Sequence, residues 1–235
     1  MKWEEFYDNI QLSDNAEDLF EYVKLYAEQL GFPYVSYVMC VPALSGVMHW
    51  KRFEKLPEGW QQHYKSKKYS EIDPLFQRGT SSIGSLIWTP QLFSEAPQLW
   101  EDAQKFGLKI GISQPCWAAR GVYGMLTFLR DGPPLSAGEI SMLSRQMQIV
   151  TNLLHLSMYD HLDISNINQL ADINLTARER EILHWTSEGK TAEIIGAILN
   201  ISTRTVNFHI GNVLTKLVAV NKVQAVAKAR TFGLL

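Results

Sequence analysis

The sequence predicts an α+β protein: an N-terminal α/β/α sandwich built on a mostly antiparallel sheet, followed by a small all-α domain with a helix-turn-helix. Three observations carry this. Strand-like and helix-like segments are interleaved over the first 164 residues without regular strand–helix alternation, the pattern of a mixed-layer domain rather than a repeated βαβ unit. A helix beginning near Ser136 has apolar residues on two adjacent rows, so more than one side of it must be covered. The last sixty residues hold short helices, each announced by a capping residue.

In chain order, residues 14 to 30 show helical periodicity through Leu19, Phe20, Val23, Leu25, Tyr26 and Leu30, with Gly31 placed to end the helix. Tyr34 to Val41 is rich in aromatic and β-branched residues and reads as a strand. A Pro-Ala-Leu-Ser-Gly turn leads to a second strand from Val47 to Phe53. A short helix from Pro57 to Lys67 comes next, then an irregular stretch rich in Ser and Gly, a strand around Ser85 to Trp88, and a helix from Gln98 to Phe106. Lys109 to Ala118 and Val122 to Arg130 form a hairpin turning at Arg120-Gly121. Ser136 and Glu139 then make a capping box, with Leu135 and Ile140 as its hydrophobic staple. The helix they open carries one row of Ile140, Leu143, Met147, Val150 and Leu154. A second row of Met142, Ile149, Leu153 and Leu156 is accounted for by its own sheet or by a partner subunit. The predicted division is residues 1–164, a polar linker 165–174, and residues 175–235.

Charge divides along the same line. From Asn174 onward there are eight Lys or Arg against four Glu, a net +4, while the preceding 173 residues carry −6. A basic unit attached to an acidic body fits binding to a polyanion, though the excess is small. Cys40 and Cys116 stand far apart in apolar surroundings and read as buried reduced thiols. The six histidines show no common-face metal spacing, so no metal site or cofactor is expected. No hydrophobic signal core follows Met1, and no run approaches the roughly 18 apolar residues needed to span a bilayer, so the expected location is the cytoplasm.

In the C-terminal segment Thr176 and Glu179 form another capping box, opening a helix that stops at Gly189. Thr191 caps a helix with Ile194, Ile195, Ile198 and Leu199 expected on its buried side. Asn200-Ile201 makes a tight turn and Ser202 caps the third helix. Val206, Ile210, Val213, Leu214 and Leu217 form that helix's inner stripe. The opposite side holds Arg204, Asn207, Phe208, Gly211 and Thr215, where a merely solvated face would carry Glu and Lys. Arg and Asn read guanine and adenine edges bidentately, and an apolar group rests on a thymine methyl. Thr205, His209, Asn212 and Lys216 flank this face within reach of phosphates. A fourth helix from Asn221 to Phe232 completes the bundle. The competing reading is a helical bundle that binds protein.

These residues carry a resemblance. The stretches LTAREREILHWTSEGKT from Leu175 to Thr191 and ISTRTVNFH from Ile201 to His209 resemble the DNA-binding domain of LuxR-type regulators; Glu179, Leu183 and Gly189 match its near-invariant positions. The ordered set Trp60, Tyr64, Asp73-Pro74, Trp88 and Gly111, with Leu99-Trp100-Glu101-Asp102-Ala103 and Phe106-Gly107-Leu108, resembles the autoinducer-binding domain of acyl-homoserine-lactone receptors. Read without that family, Trp60 and Tyr64 are one turn apart on a helix, Asp73 before Pro74 is a turn former, and Trp88 is core. The resemblance implies a quorum-sensing transcription factor that binds an N-acyl-homoserine lactone in front and double-stranded DNA at the back, as a homodimer on a two-fold symmetric site.

It also implies roles. Trp60 donates its indole N–H to the lactone carbonyl, Asp73 accepts the ligand amide N–H, and Tyr64 donates to the amide carbonyl. Thr127 aligns with a family Ser or Thr that helps bind the amide, Trp88 walls the lactone ring, and Gly111 completes the set. One departure stands out: the family has a Tyr four residues before the pocket tryptophan, and this chain has Leu56. Loss of that hydroxyl implies altered ligand selectivity and keeps open an orphan regulator that is ligand-independent or answers a non-lactone signal. An enzyme is not expected, since no nucleophile–base set or metal cluster is legible.

Overall fold

The computed structural model describes residues 3–162, 164 and 173–235. Most of the expected linker, residues 165–172, lies outside the described residues. The chain divides into two compact units.

The first unit holds a five-stranded sheet in the order β2-β1-β5-β4-β3, formed by β1 (Tyr34–Pro42), β2 (Met48–Lys55), β3 (Leu86–Ile87), β4 (Ile110–Trp117) and β5 (Tyr123–Arg130). β5 pairs antiparallel with β1 and β4 on its two sides, Thr127 standing opposite Ser36 and Ser113. Helices α1 (Trp3–Leu12), α2 (Ala16–Gln29) and α6 (Ala137–His161) cover one face; α3 (Trp60–Ser66), α4 (Pro74–Gly79) and α5 (Pro97–Lys105) lie on the other.

Because successive strand residues point to opposite faces, β5 serves both layers. Leu126 and Phe128 are fully buried against the first helical layer, where Phe128 meets Phe32 with ring centroids 6.0 Å apart. Tyr123, Met125 and Leu129 belong to the apolar cluster of the second. The expected capping box of α6 forms: the Ser136 hydroxyl accepts from the Glu139 amide, and the Glu139 carboxylate accepts from the Ser136 amide. Leu143, Met147, Val150, Leu154 and Met158 make its buried stripe. Of the second apolar row, Met142 is 42% exposed, Ile149 52% and Leu156 57%, while Leu153 is half-buried.

Two elements of this unit depart from the sequence expectation. α1 has no counterpart in that expectation. α4 occupies part of the stretch expected to be irregular, and its start is explained by Asp73-Pro74: the aspartate caps the Leu75 amide and the proline takes the first helical position.

The second unit includes α7 (Ala177–Ser187), α8 (Ala192–Leu199), α9 (Thr203–Lys216) and α10 (Lys222–Thr231), together with the segments Val41–His49 and Ala119–Val122. Thr176, Thr191, Ser202 and Asn221 each cap the amide three residues on. Ile182, Ile195, Val206 and Ile210 form one core cluster; Leu183, Val213, Leu217, Ala225 and Ala229 belong to another. The turn between α8 and α9 depends on Gly196. The chain reverses through Asn200 in the left-handed conformation, and a Cβ at Gly196 would stand 2.7 Å from the Ile201 carbonyl oxygen. The expected burial of Ile194 and Ile198 is corrected: they are 47% and 45% exposed. An eight-residue helix has room for one buried row, and Ile195 with Leu199 fills it.

Candidate functional site

Between the sheet and the layer of α3, α4 and α5 lies a cavity of about 450 Å³, within the range of small-molecule sites. Leu56, Trp60, Tyr64, Asp73, Trp88 and Thr127 all line it. α3 sets Trp60 and Tyr64 one turn apart, their rings 5.9 Å from each other. Trp60 is wedged edge-on against Phe106 at 5.3 Å, and its indole N–H meets no acceptor among the described residues.

Asp73 is fixed by its capping role. One carboxylate oxygen accepts from the Leu75 amide at 2.9 Å, and the other from the Tyr64 hydroxyl at 2.8 Å. Burial pushes its pKa up to about 6, opposed by those two hydrogen bonds and by the Arg52 charge. The Tyr64 hydroxyl is pushed well above the ordinary phenol range, first by burial and then by the adjacent carboxylate. Tyr64 therefore donates to Asp73 here, and not toward the cavity.

On the opposite wall the Trp88 indole donates to Ser113 Oγ at 3.0 Å, and that hydroxyl pairs with Thr127 Oγ1 at 2.9 Å. Gly111 is not part of the lining. It lies under Trp88, where a Cβ would stand 2.6 Å from the indole Cγ and 2.7 Å from Leu129 Cδ2. Its contribution to the site is the room it leaves for the tryptophan.

Apolar walls come from Val38, Leu75, Phe93, Leu99, Met125 and Leu129. The sequence reading misses all of these, although Met125 and Leu129 flank Thr127 at period two, a signal that could have found them. Ser36, Arg52, Glu54 and Gln61 also face the cavity and were missed; charged residues on a strand are ordinarily read as its wet face. A buried carboxylate, Asp102, ties α5 to α3 by accepting from His63 Nε2, Tyr69 and Lys105, each at 2.7 Å. Its pKa is held well below the usual range, chiefly by Lys105 and then by Tyr69 and His63.

In the second unit α9 presents Arg204, Asn207, Phe208 and Gly211 to solvent, Phe208 being 64% exposed. Thr205, His209 and Asn212 are half-buried beside them. Lys216 is engaged elsewhere. Its ammonium donates to the buried Glu179 carboxylate at 2.6 Å and to the Asn174 carbonyl at 2.9 Å, so it ties the end of α9 to the cap of α7.

Residues 15–158 match the family model of the autoinducer binding domain, and residues 173–229 match that of bacterial regulatory proteins of the luxR family. The chain belongs to the LuxR family. It is 42% identical over 233 residues to the transcriptional activator protein SolR of Ralstonia nicotianae, a match covering 99% of this chain and 98% of SolR. Among solved structures, the crystal structure of Escherichia coli SdiA superposes with a TM-score of 0.79 at 32% identity, covering 98% of this chain and 96% of that one. SdiA in complex with octanoyl-rac-glycerol superposes with a TM-score of 0.77, also at 32% identity, covering 98% and 94% of the two chains. As a LuxR-family protein the chain is a transcriptional regulator and not an enzyme. It joins an autoinducer-binding domain, which implies a small-molecule ligand, to a helix-turn-helix DNA-binding domain. Among the described residues no helix is long and apolar enough to cross a membrane.

Proposed function

We propose that this regulator binds an N-acyl-homoserine lactone in the cavity and, as a cytoplasmic homodimer, binds double-stranded DNA at a two-fold symmetric site. The observation that carries the reading is a half-open, largely apolar cavity with Trp60, Tyr64 and Asp73 converging on it. A lactone signal has one amide N–H and several carbonyls on an apolar tail. Each polar group buried without a partner costs about 1–3 kcal/mol. The unpartnered Trp60 N–H suits the lactone carbonyl. Asp73 has accepted two hydrogen bonds of the roughly four a carboxylate can take, so it retains capacity for the amide N–H. When that N–H arrives, Tyr64 turns its proton from Asp73 to the amide carbonyl, and no group is left unpaired. Thr127 helps bind the same amide, Trp88 walls the ring, and Leu56 leaves the amide without a further hydroxyl.

In this reading residues 1–164 sense, 165–174 link and 175–235 bind DNA. Arg204, Asn207 and Phe208 enter the major groove, Gly211 permits close approach, and Thr205 and Asn212 reach the backbone. Lys216 stabilises the domain instead of contacting phosphate. The exposed row Met142, Ile149 and Leu156 on α6 supplies the face for the second copy.

The test is the melting temperature of the purified chain with a panel of lactones of graded tail length. A ligand at about 100 times its Kd adds roughly 2.7 kcal/mol to the folded state. A tail-dependent rise that vanishes in D73A supports the reading; indifference to every lactone refutes it. A second reading, a non-lactone signal, is favoured by the similarity to SdiA holding octanoyl-rac-glycerol, and that acylglycerol belongs in the panel.

A further inference from the structure

The cavity holds a second polar group that these roles leave unused. β2 is an edge strand of the sheet, and its alternate residues Arg52 and Glu54, followed by Leu56, turn toward the cavity. The Glu54 side chain is only 14% exposed. One of its oxygens accepts from the Ser36 hydroxyl at 3.1 Å and the other from the Gln61 amide at 3.0 Å, which leaves acceptor capacity on both. Arg52 Nη1 stands 3.8 Å from Glu54 Oε1, beyond hydrogen-bond reach. The guanidinium makes no hydrogen bond among the described residues and is held over the Trp50 and Phe76 rings, 5.7 Å from each centroid. A carboxylate with open acceptor sites and a guanidinium with open donors thus face one another across a gap.

A hydroxyl oxygen about 2.8 Å from each atom fits that separation, donating to Glu54 and accepting from Arg52. A keto oxygen can only accept, so it pairs with Arg52 and turns lone pairs toward Glu54. A methylene pairs with neither and strips water from both. The group lies near the proposed amide end: the Arg52 charge acts on both Tyr64 and Asp73, the Glu54 charge acts on Tyr64, and Leu56 is two residues along the same strand face.

We propose that Arg52 and Glu54 select an acyl chain bearing a hydroxyl close to the amide, so that the preferred ligand is an N-(3-hydroxyacyl)-homoserine lactone. This rests on the lactone reading above. The experiment titrates the purified full-length chain with eight-carbon lactones that are 3-hydroxylated, 3-oxidised or unsubstituted, and with octanoylglycerol, reading Kd by calorimetry. The hydroxylated lactone is expected to bind at least about fivefold more tightly than the unsubstituted one, with the oxo form between them. E54Q keeps the side-chain shape and adds a donor, so the gap between hydroxy and oxo forms should close. E54L should reverse the order in favour of the unsubstituted tail. Equal Kd values for the three lactones, or an order unchanged in both variants, would overturn this inference and leave the lactone reading standing. Binding of octanoylglycerol alone would overturn both.

Discussion

Replacing Asp73 by Asn separates the cost of burying a carboxylate from the work that carboxylate does. In the folded chain the Asp73 pKa is raised to about 6 from an ordinary 3.8. Between those values the folded state holds a proton that the unfolded state has released, so stability falls as pH rises through this window and is level above about 6. The interval, at about 1.4 kcal/mol per pH unit, amounts to about 3 kcal/mol. Asn caps helices as well as Asp does, so the Leu75 amide keeps its acceptor. The Asn amide group can then donate to the Tyr64 oxygen. D73N should therefore match the parent chain in ligand-free stability near pH 4 and exceed it by about 1–3 kcal/mol at pH 7–8. The assay is urea unfolding at a series of pH values followed by tryptophan fluorescence, which reports mainly on the front of the chain because six of the seven tryptophans precede residue 118. Working with the difference between two chains cancels the titration of every other carboxylate. A stability difference that is constant from pH 4 to 8 would refute the argument. The same substitution should weaken lactone binding, since the amide N–H loses a charged acceptor.

Three further outcomes are expected. G111A should lose about 1–3 kcal/mol through crowding of Trp88 and Leu129, seen as a lower denaturant midpoint with an altered near-ultraviolet Trp signal; an unchanged midpoint would mean the indole has room to move. R204A and N207A should each cost about 1–3 kcal/mol in affinity for a DNA site selected from random sequence, with the melting temperature unchanged. K216M should destabilise the helical unit by about 1–3 kcal/mol, leaving a buried Glu179 oxygen without its ammonium. Its slope of log affinity against log salt should stay level, whereas losing a phosphate contact would lower that slope by about one.

Elements with local signatures were legible in the sequence. The capping boxes at Ser136 and Thr176 form as read, because they involve residues three apart and need no tertiary context. α4 is hidden in the sequence because six residues are too few for periodicity, although Asp73-Pro74 is a helix start as well as a turn signal. The sequence does not separate the apolar residues of α8, because only packing decides which of two i, i+4 pairs meets the core. In the cavity the family pattern located the aromatic and acidic residues. It could not separate Gly111, which acts through Trp88, from residues that face the space. The ion pair of Lys216 with Glu179 is hidden from the sequence, because it spans 37 positions, a distance no window on the sequence covers.

The central strand β5 has a bearing on how such a receptor diversifies. Its odd-numbered residues from Tyr123 to Leu129 belong to the sensing side of the sheet, while Leu126 and Phe128 anchor the helical layer behind it. Substitutions at Met125, Thr127 or Leu129 reshape the sensing chamber without exchanging an atom of the opposing core. The strand can be edited at alternate letters, and a lineage can move from one signal to another by single steps while its scaffold stays intact.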